Sequence, residues 1–209
     1  MSARQLFDRY FGECPLIAII RGVRPDEAEA IGEAIYEGGI RIVEVPLNSP
    51  EPLDSIERLT KRFGDRMLVG AGTVLAPEDV GRVRDAGGRI IVSPDTNAEV
   101  IRATAEAGLV SSPGYFTPSE AFTAIRAGAT ALKLFPAEGA TTAVLKAQLA
   151  VLPKGVPVLT VGGVQPDNMQ PWLAAGASGF GLGGGLYKPG QAPAETLDKA
   201  RAYVAGLKA

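Results

Sequence analysis

The sequence predicts a (β/α)8 barrel. Three features of its 209 residues carry that reading. Eight short apolar runs recur along the chain, glycine follows most of the helical-looking segments, and proline with acidic residues opens the next ones. Short, near-continuous apolar strands alternating with helices indicate a parallel sheet covered by helices. Eight such units at this length fit a compact barrel. A doubly wound open sheet is the alternative that the pattern alone leaves open.

In chain order, the runs are LIAII (16–20), IRIVEV (40–45), MLVGAG (67–72), RIIVS (89–93), LVSS (109–112), ALKLF (131–135), PVLTVGG (157–163) and GFGLGG (179–184). A short N-terminal helix precedes the first. Between them, helices close at Gly38-Gly39, Gly87-Gly88, Gly108, Gly128 and Gly176, because glycine adopts the left-handed conformation of a C-cap. They open at RPDE, SPEP, APED, TPSE and QPDN, which place proline in the first turn and acids near the positive helix end. Thr117 and Glu120 also have capping-box spacing. Neither a linker nor a low-complexity stretch interrupts the series, so residues 1–209 are expected to form one domain.

Composition removes several functional classes. A formal charge of −2 and a pI near 5.3 argue against nucleic acid or an anionic membrane as partner. No apolar run approaches a membrane span and the N-terminus lacks a signal-peptide pattern, so a cytoplasmic location is expected. One cysteine, Cys14, cannot form an internal disulfide. The chain has no histidine, which excludes Ser-His-Asp and Cys-His nucleophile systems and histidine-ligated metals. No dense Asp/Glu cluster suggests a carboxylate metal site, and none is expected.

Charged residues inside the apolar runs point to chemistry. Strand alternation places Val43 and Val45 outward with Glu44 inward, and Leu132 and Leu134 outward with Lys133 inward. In the first strand, Ala18 and Ile20 face out and Arg21 shares the inward side. Of seven lysines, only Lys133 falls in a strand. A structural Lys133–Glu44 pair is the bland account, but desolvation makes such pairs poor stabilisers. An arginine in the same interior favours function. A desolvated lysine has a lowered pKa and becomes an amine nucleophile for a carbonyl, through carbinolamine and Schiff base. A carboxylate beside it can move protons, and an arginine fork suits a substrate carboxylate. Together they suggest a keto acid and carbon–carbon bond chemistry.

The seventh and eighth runs end in Gly162-Gly163 and Gly183-Gly184-Gly185. Glycines there let backbone N–H groups approach an anion, and barrels often bind phosphate at that place. Gly179-x-Gly181-x-x-Gly184 also matches a dinucleotide pattern, but no βαβ unit follows it, so that reading fails.

The words AIIRG, VEVPLNSP, VGAGTVLAPEDV, IVSPD, SPGYFTPSEA, ALKLFPA, TVGGVQPDN and GFGLGGGLY together resemble the KDPG/KDPGal aldolases, in order from Pro15 to Tyr187. The resemblance implies a class I aldolase needing no cofactor and no metal, acting on a small keto-deoxy sugar acid phosphate to give pyruvate and glyceraldehyde 3-phosphate. It implies that Lys133 forms the Schiff base and Glu44 shuttles protons. Arg21 and Thr73 would hold the pyruvyl end, with Pro94 and Phe135 shaping the pocket and Gly162, Gly163, Gly183 and Gly184 around the phosphate. A homotrimer is implied as well. Pro46-Leu47-Asn48-Ser49-Pro50 and Val161 are similar to the galactonate branch, so 2-keto-3-deoxy-6-phosphogalactonate is the expected substrate. The gluconate epimer and a non-phosphorylated keto-deoxy acid are the variants, the latter because Gly184 stands where the family commonly carries serine. Rivals are a sugar-phosphate epimerase or isomerase on the same scaffold and a non-catalytic phospho-sugar binding protein.

Overall fold

A computed structural model describes residues 1–208. Its strands are β1 (Leu16–Ile19), β2 (Ile42–Pro46), β3 (Leu68–Gly72), β4 (Ile90–Val92), β5 (Val110–Ser112), β6 (Gly114–Tyr115), β7 (Leu132–Leu134), β8 (Val158–Val161) and β9 (Gly179–Leu182). All pair in parallel, in the order β5-β4-β3-β2-β1-β9-β8-β7-β6. There are nine strands where eight runs were expected, and Pro113 is the reason. It lacks an N–H and interrupts the fifth stave, whose two halves pair with opposite neighbours, β5 with β4 and β6 with β7. The Pro113 carbonyl still accepts from Lys133 N at 2.9 Å, and Ser111 O accepts from Thr130 N at 2.8 Å. The stave is therefore continuous, and the eight-fold barrel closes.

The helices are α1 (Ala3–Glu13), α2 (Pro25–Glu37), α3 (Pro52–Phe63), α4 (Pro77–Asp85), α5 (Ala98–Glu106), α6 (Pro118–Ala127), α7 (Thr142–Leu149), α8 (Met169–Ala174) and α9 (Pro193–Gly206). Proline opens α2, α3, α4 and α6 as the motifs indicated, and Thr117 with Glu120 forms the expected capping box. The QPDN motif differs. Pro166 lies in a turn and α8 begins only at Met169, since Asn168 caps the turn by accepting from Gln165 N. Helices α5 and α7 start without proline; the side chains of Asn97 and Thr141 accept their first free N–H groups instead.

Side-chain alternation divides the core as the phase assignment requires. Ala18, Ile20, Val43, Val45, Val69 and Ala71 pack outward with the helices. Ile17, Ile19, Ile42, Leu68, Ile90, Val110 and Leu159 fill the interior. Helix α1 plugs the N-terminal end of the barrel. Its Leu6, Phe7 and Tyr10 are buried in the same cluster as the interior strand residues. A sealed floor leaves the strand C-termini as the open face of the barrel.

Close packing makes a single methyl group informative. A Cβ at Gly70 in β3 would lie 1.9 Å from the Ile90 carbonyl oxygen, whereas a Cβ at Gly81 in α4 meets nothing within 4 Å. Gly70→Ala is expected to destabilise by about 1–3 kcal/mol through overpacking. Gly81→Ala is expected to stabilise by about 0.5–1 kcal/mol through helix propensity. Equilibrium denaturation midpoints check both. Coincident midpoints for the two variants would contradict the packing.

Candidate active site

At the open face, the strand ends and the loops after them surround a cavity of about 360 Å³. Arg21 follows β1, Thr73 follows β3, Pro94 follows β4, and Lys133 and Phe135 come from β7 and its end. On the opposite wall are Val161, Gly162 and Gly163 from the end of β8, and Gly183 and Gly184 after β9. Ten of the eleven residues singled out in the sequence thus line one space. The eleventh, Glu44, lies below it in a small apolar compartment that Lys133 also borders. A larger surface hollow of about 500 Å³, near the start of α3 and α4, is lined by Glu51, Asp54, Asp79 and Arg82 and contains none of them.

Lys133 is 7% exposed and Glu44 is 2% exposed. Burial lowers the pKa of Lys133, and the charge of Arg21 lowers it further, while Glu44 acts the other way. Burial raises the Glu44 carboxyl to about 7, opposed by the charges of Lys133 and Arg21. Glu44 Oε2 is buried without a hydrogen-bond partner among the described residues, so the coupling between these groups runs through space. An amine and a carboxyl brought toward neutrality side by side can both accept and donate protons near neutral pH. Lys133 Nζ also lies 4.7 Å from the centroid of the Phe135 ring, so the aromatic face packs against the amine.

Glycine at position 72 makes this burial possible. A Cβ there would come within 2.0 Å of Glu44 Oε2, so any other residue would displace the carboxylate. The following residue, Thr73, takes φ +55°, an uncommon left-handed conformation for a β-branched side chain. That strained turn brings its hydroxyl 3.4 Å from Arg21 Nη1 and Nη2.

Arg21 requires a correction. Strand alternation places it in the interior with Glu44 and Lys133, but its guanidinium is exposed at the rim. Strand β1 ends at Ile19, so Arg21 belongs to the loop, and it is held there by the Asn48 side-chain carbonyl and Thr73. The rim position leaves part of the planar fork toward the cavity.

The glycines differ from one another. Gly162 (φ +116°) and Gly163 (φ +64°) turn the chain in a region that favours glycine, and the Glu138 side chain lies against both. Gly183 and Gly184 border open space, since a Cβ at either position would meet nothing within 4 Å. Sequence patterns did not single out Glu138, Gln165 or Lys188, and used Asn48 only within the word resembling the galactonate branch. Lys188 stands three residues after the glycine run, in GGGLYKPG, and sequence proximity to that run is the one hint it carried. Among the described residues, no cluster of three or more Cys, Asp or Glu side chains could hold a metal ion.

Comparison with known proteins agrees with this geometry. Residues 8–201 match the family model for KDPG and KHG aldolase. The 2-dehydro-3-deoxy-6-phosphogalactonate aldolase of Escherichia coli K12 is 46% identical over 91% of this chain and 93% of its own. A solved structure described as native KDPGal is 45% identical with a TM-score of 0.92, covering 94% of this chain and 95% of that one. The KDPG aldolase of Legionella pneumophila, solved with pyruvate captured as a covalent carbinolamine, is 27% identical with a TM-score of 0.85, covering 98% of both chains.

The raised Glu44 carboxyl makes two measurements predictable. A carbon-13 titration should place its midpoint near 7, and Lys133→Met should move it higher, because the lost positive charge had favoured the carboxylate. Linkage gives the second sign. A pKa raised from 4.5 means that Glu44 stabilises the fold fully below that pH, and that this contribution fades as pH rises to about 7. A midpoint near 4.5, or a downward shift in Lys133→Met, would contradict the burial of this charge.

Proposed function

The chain belongs to the KDPG and KHG aldolase family, and from that premise we propose that it is a class I aldolase cleaving 2-keto-3-deoxy-6-phosphogalactonate to pyruvate and glyceraldehyde 3-phosphate. The observation that carries the proposal is a buried lysine and a buried carboxyl coupled at the floor of an open-face cavity.

The unprotonated amine of Lys133 attacks the C2 keto carbon. The resulting carbinolamine loses water, with Glu44 supplying and taking back the protons, to leave an iminium. Glu44, as the carboxylate, takes the C4 hydroxyl proton as the C3–C4 bond breaks, and the bond's electron pair flows into the iminium as an enamine. The aldehyde departs as glyceraldehyde 3-phosphate. Protonation of the enamine at C3 and hydrolysis then release pyruvate and restore the amine. A carboxyl near pKa 7 suits these opposite transfers, because both of its states are populated at neutral pH. Arg21 and Thr73 bind the substrate carboxylate at the rim, Pro94 and Phe135 form the apolar walls, and Gly162, Gly163, Gly183 and Gly184 receive the phosphate through backbone N–H groups.

Support for the galactonate epimer comes from the E. coli relative and from Val161, which offers an apolar surface where a hydroxyl would donate or accept. The described residues, 1–208, are read as one barrel domain working in the cytoplasm, where a multiply charged sugar acid phosphate is retained; the expected domain's last residue, Ala209, lies outside them. No helix among the described residues is long and apolar enough to cross a membrane. The assembly is a homotrimer; its support is the family resemblance together with exposed Leu75, Phe116, Val144 and Val151.

Coupling pyruvate release to lactate dehydrogenase tests the proposal. The galactonate epimer should give the higher kcat/KM, and Val161→Thr should shift the epimer ratio toward gluconate by about tenfold. Glu44→Gln should lower kcat by about 10²–10⁴-fold with a smaller change in KM. Absence of turnover on both epimers would contradict the function, and parallel loss of kcat and binding would contradict the role of Glu44.

A further inference from the structure

The end of the cavity formed by the loops after β8 and β9 is unusual for a site that must hold a dianion. Gly162, Gly163, Gly183 and Gly184 contribute no side-chain donor, and the carboxylate of Glu138 lies directly against the first two. Backbone N–H groups carry partial charge only, and an adjacent carboxylate repels phosphate. A cation on this part of the wall would offset that repulsion and add a charge-assisted contact to the backbone donors.

Three cations line the cavity: Arg21, Lys133 and Lys188. Arg21 is engaged with Asn48 and Thr73, and Lys133 is the buried amine. Lys188 is exposed and takes part in no ion pair among the described residues. Its backbone is well fixed despite that freedom. Tyr187 is buried beside it, with its N–H donated to Gly183 O at 3.1 Å, and Lys188 O accepts from Gln191 N at 3.0 Å. Gln191 Nε2 in turn donates to Leu186 O and to Thr196 Oγ1, each at 2.8 Å. On the other side, Pro189 packs so closely on Gly22 that a Cβ at Gly22 would come within 2.6 Å of it. An exposed, unpaired ammonium on an anchored loop at the cavity wall is suited to meet an entering anion.

We infer that Lys188 is the phosphate-recognising residue of this chain, supplying the charge that the side-chain-free glycine walls lack. The inference rests on the aldolase function proposed above. It makes Lys188 a specificity residue that acts on substrate capture and leaves the bond-breaking step to Lys133 and Glu44.

The test compares wild type, Lys188→Gln and Lys188→Arg on 2-keto-3-deoxy-6-phosphogalactonate and on its non-phosphorylated parent. Lys188→Gln should raise KM for the phosphorylated substrate about tenfold with kcat within about twofold, and Arg should restore it. KM for the non-phosphorylated acid should stay at the wild-type value. Inorganic phosphate should inhibit wild type competitively and Lys188→Gln more weakly. An unchanged KM for the phosphorylated substrate, or an equal rise for both substrates, would overturn the assignment. Deuterium exchange into the pyruvate methyl group separates the two levels of inference. Exchange retained in wild type and variant with unchanged KM rejects Lys188 alone, whereas absence of exchange in wild type rejects the aldolase reading beneath it.

Discussion

Burial of two opposite charges in an apolar barrel interior is the constraint on which the site depends. Lys133 and Glu44 are surrounded by Ile17, Ile19, Val92 and Leu159, and neither is relieved by a close hydrogen-bonded ion pair. Such an arrangement costs stability relative to an apolar core. The cost is also what moves both groups toward neutrality, because each charged form is disfavoured by the same loss of water. Chemistry and instability here have one cause.

Much of the remaining architecture serves to keep those charges buried and in reach. Helix α1 seals the floor and leaves the strand C-termini as the open face. Gly72 leaves space for the Glu44 carboxylate, and the turn at Thr73 brings a hydroxyl to the arginine at the rim. Pro113 divides one stave of the barrel without opening it, since backbone carbonyls on either side still bond to the next strand. A gradient results, from two desolvated groups at the bottom to exposed cations at the mouth.

Period-two alternation was strong enough to orient Glu44 and Lys133 correctly from sequence, because both are flanked by apolar residues of the opposite phase. It failed for Arg21 because the strand stops two residues earlier, and alternation has no meaning in a loop. Glycine and proline signals located most helix ends. They missed the starts of α5 and α7, where Asn97 and Thr141 cap without proline, and they placed the start of α8 too early. The split fifth stave was invisible, since a proline after an apolar run reads as an ending. Lys188 and Glu138 escaped because exposed charges on loops have no periodic signature, and only the folded chain brings them to one cavity.

The central claim is that Lys133 is an amine nucleophile toward a keto acid. Borohydride reduction in the presence of pyruvate, read by intact mass and peptide mapping, tests it most directly. One stable adduct on Lys133, absent without pyruvate, is the expected result. A folded protein that gains no adduct in excess pyruvate, or gains it on another lysine, would contradict the claim and return Lys133 to a structural or electrostatic role.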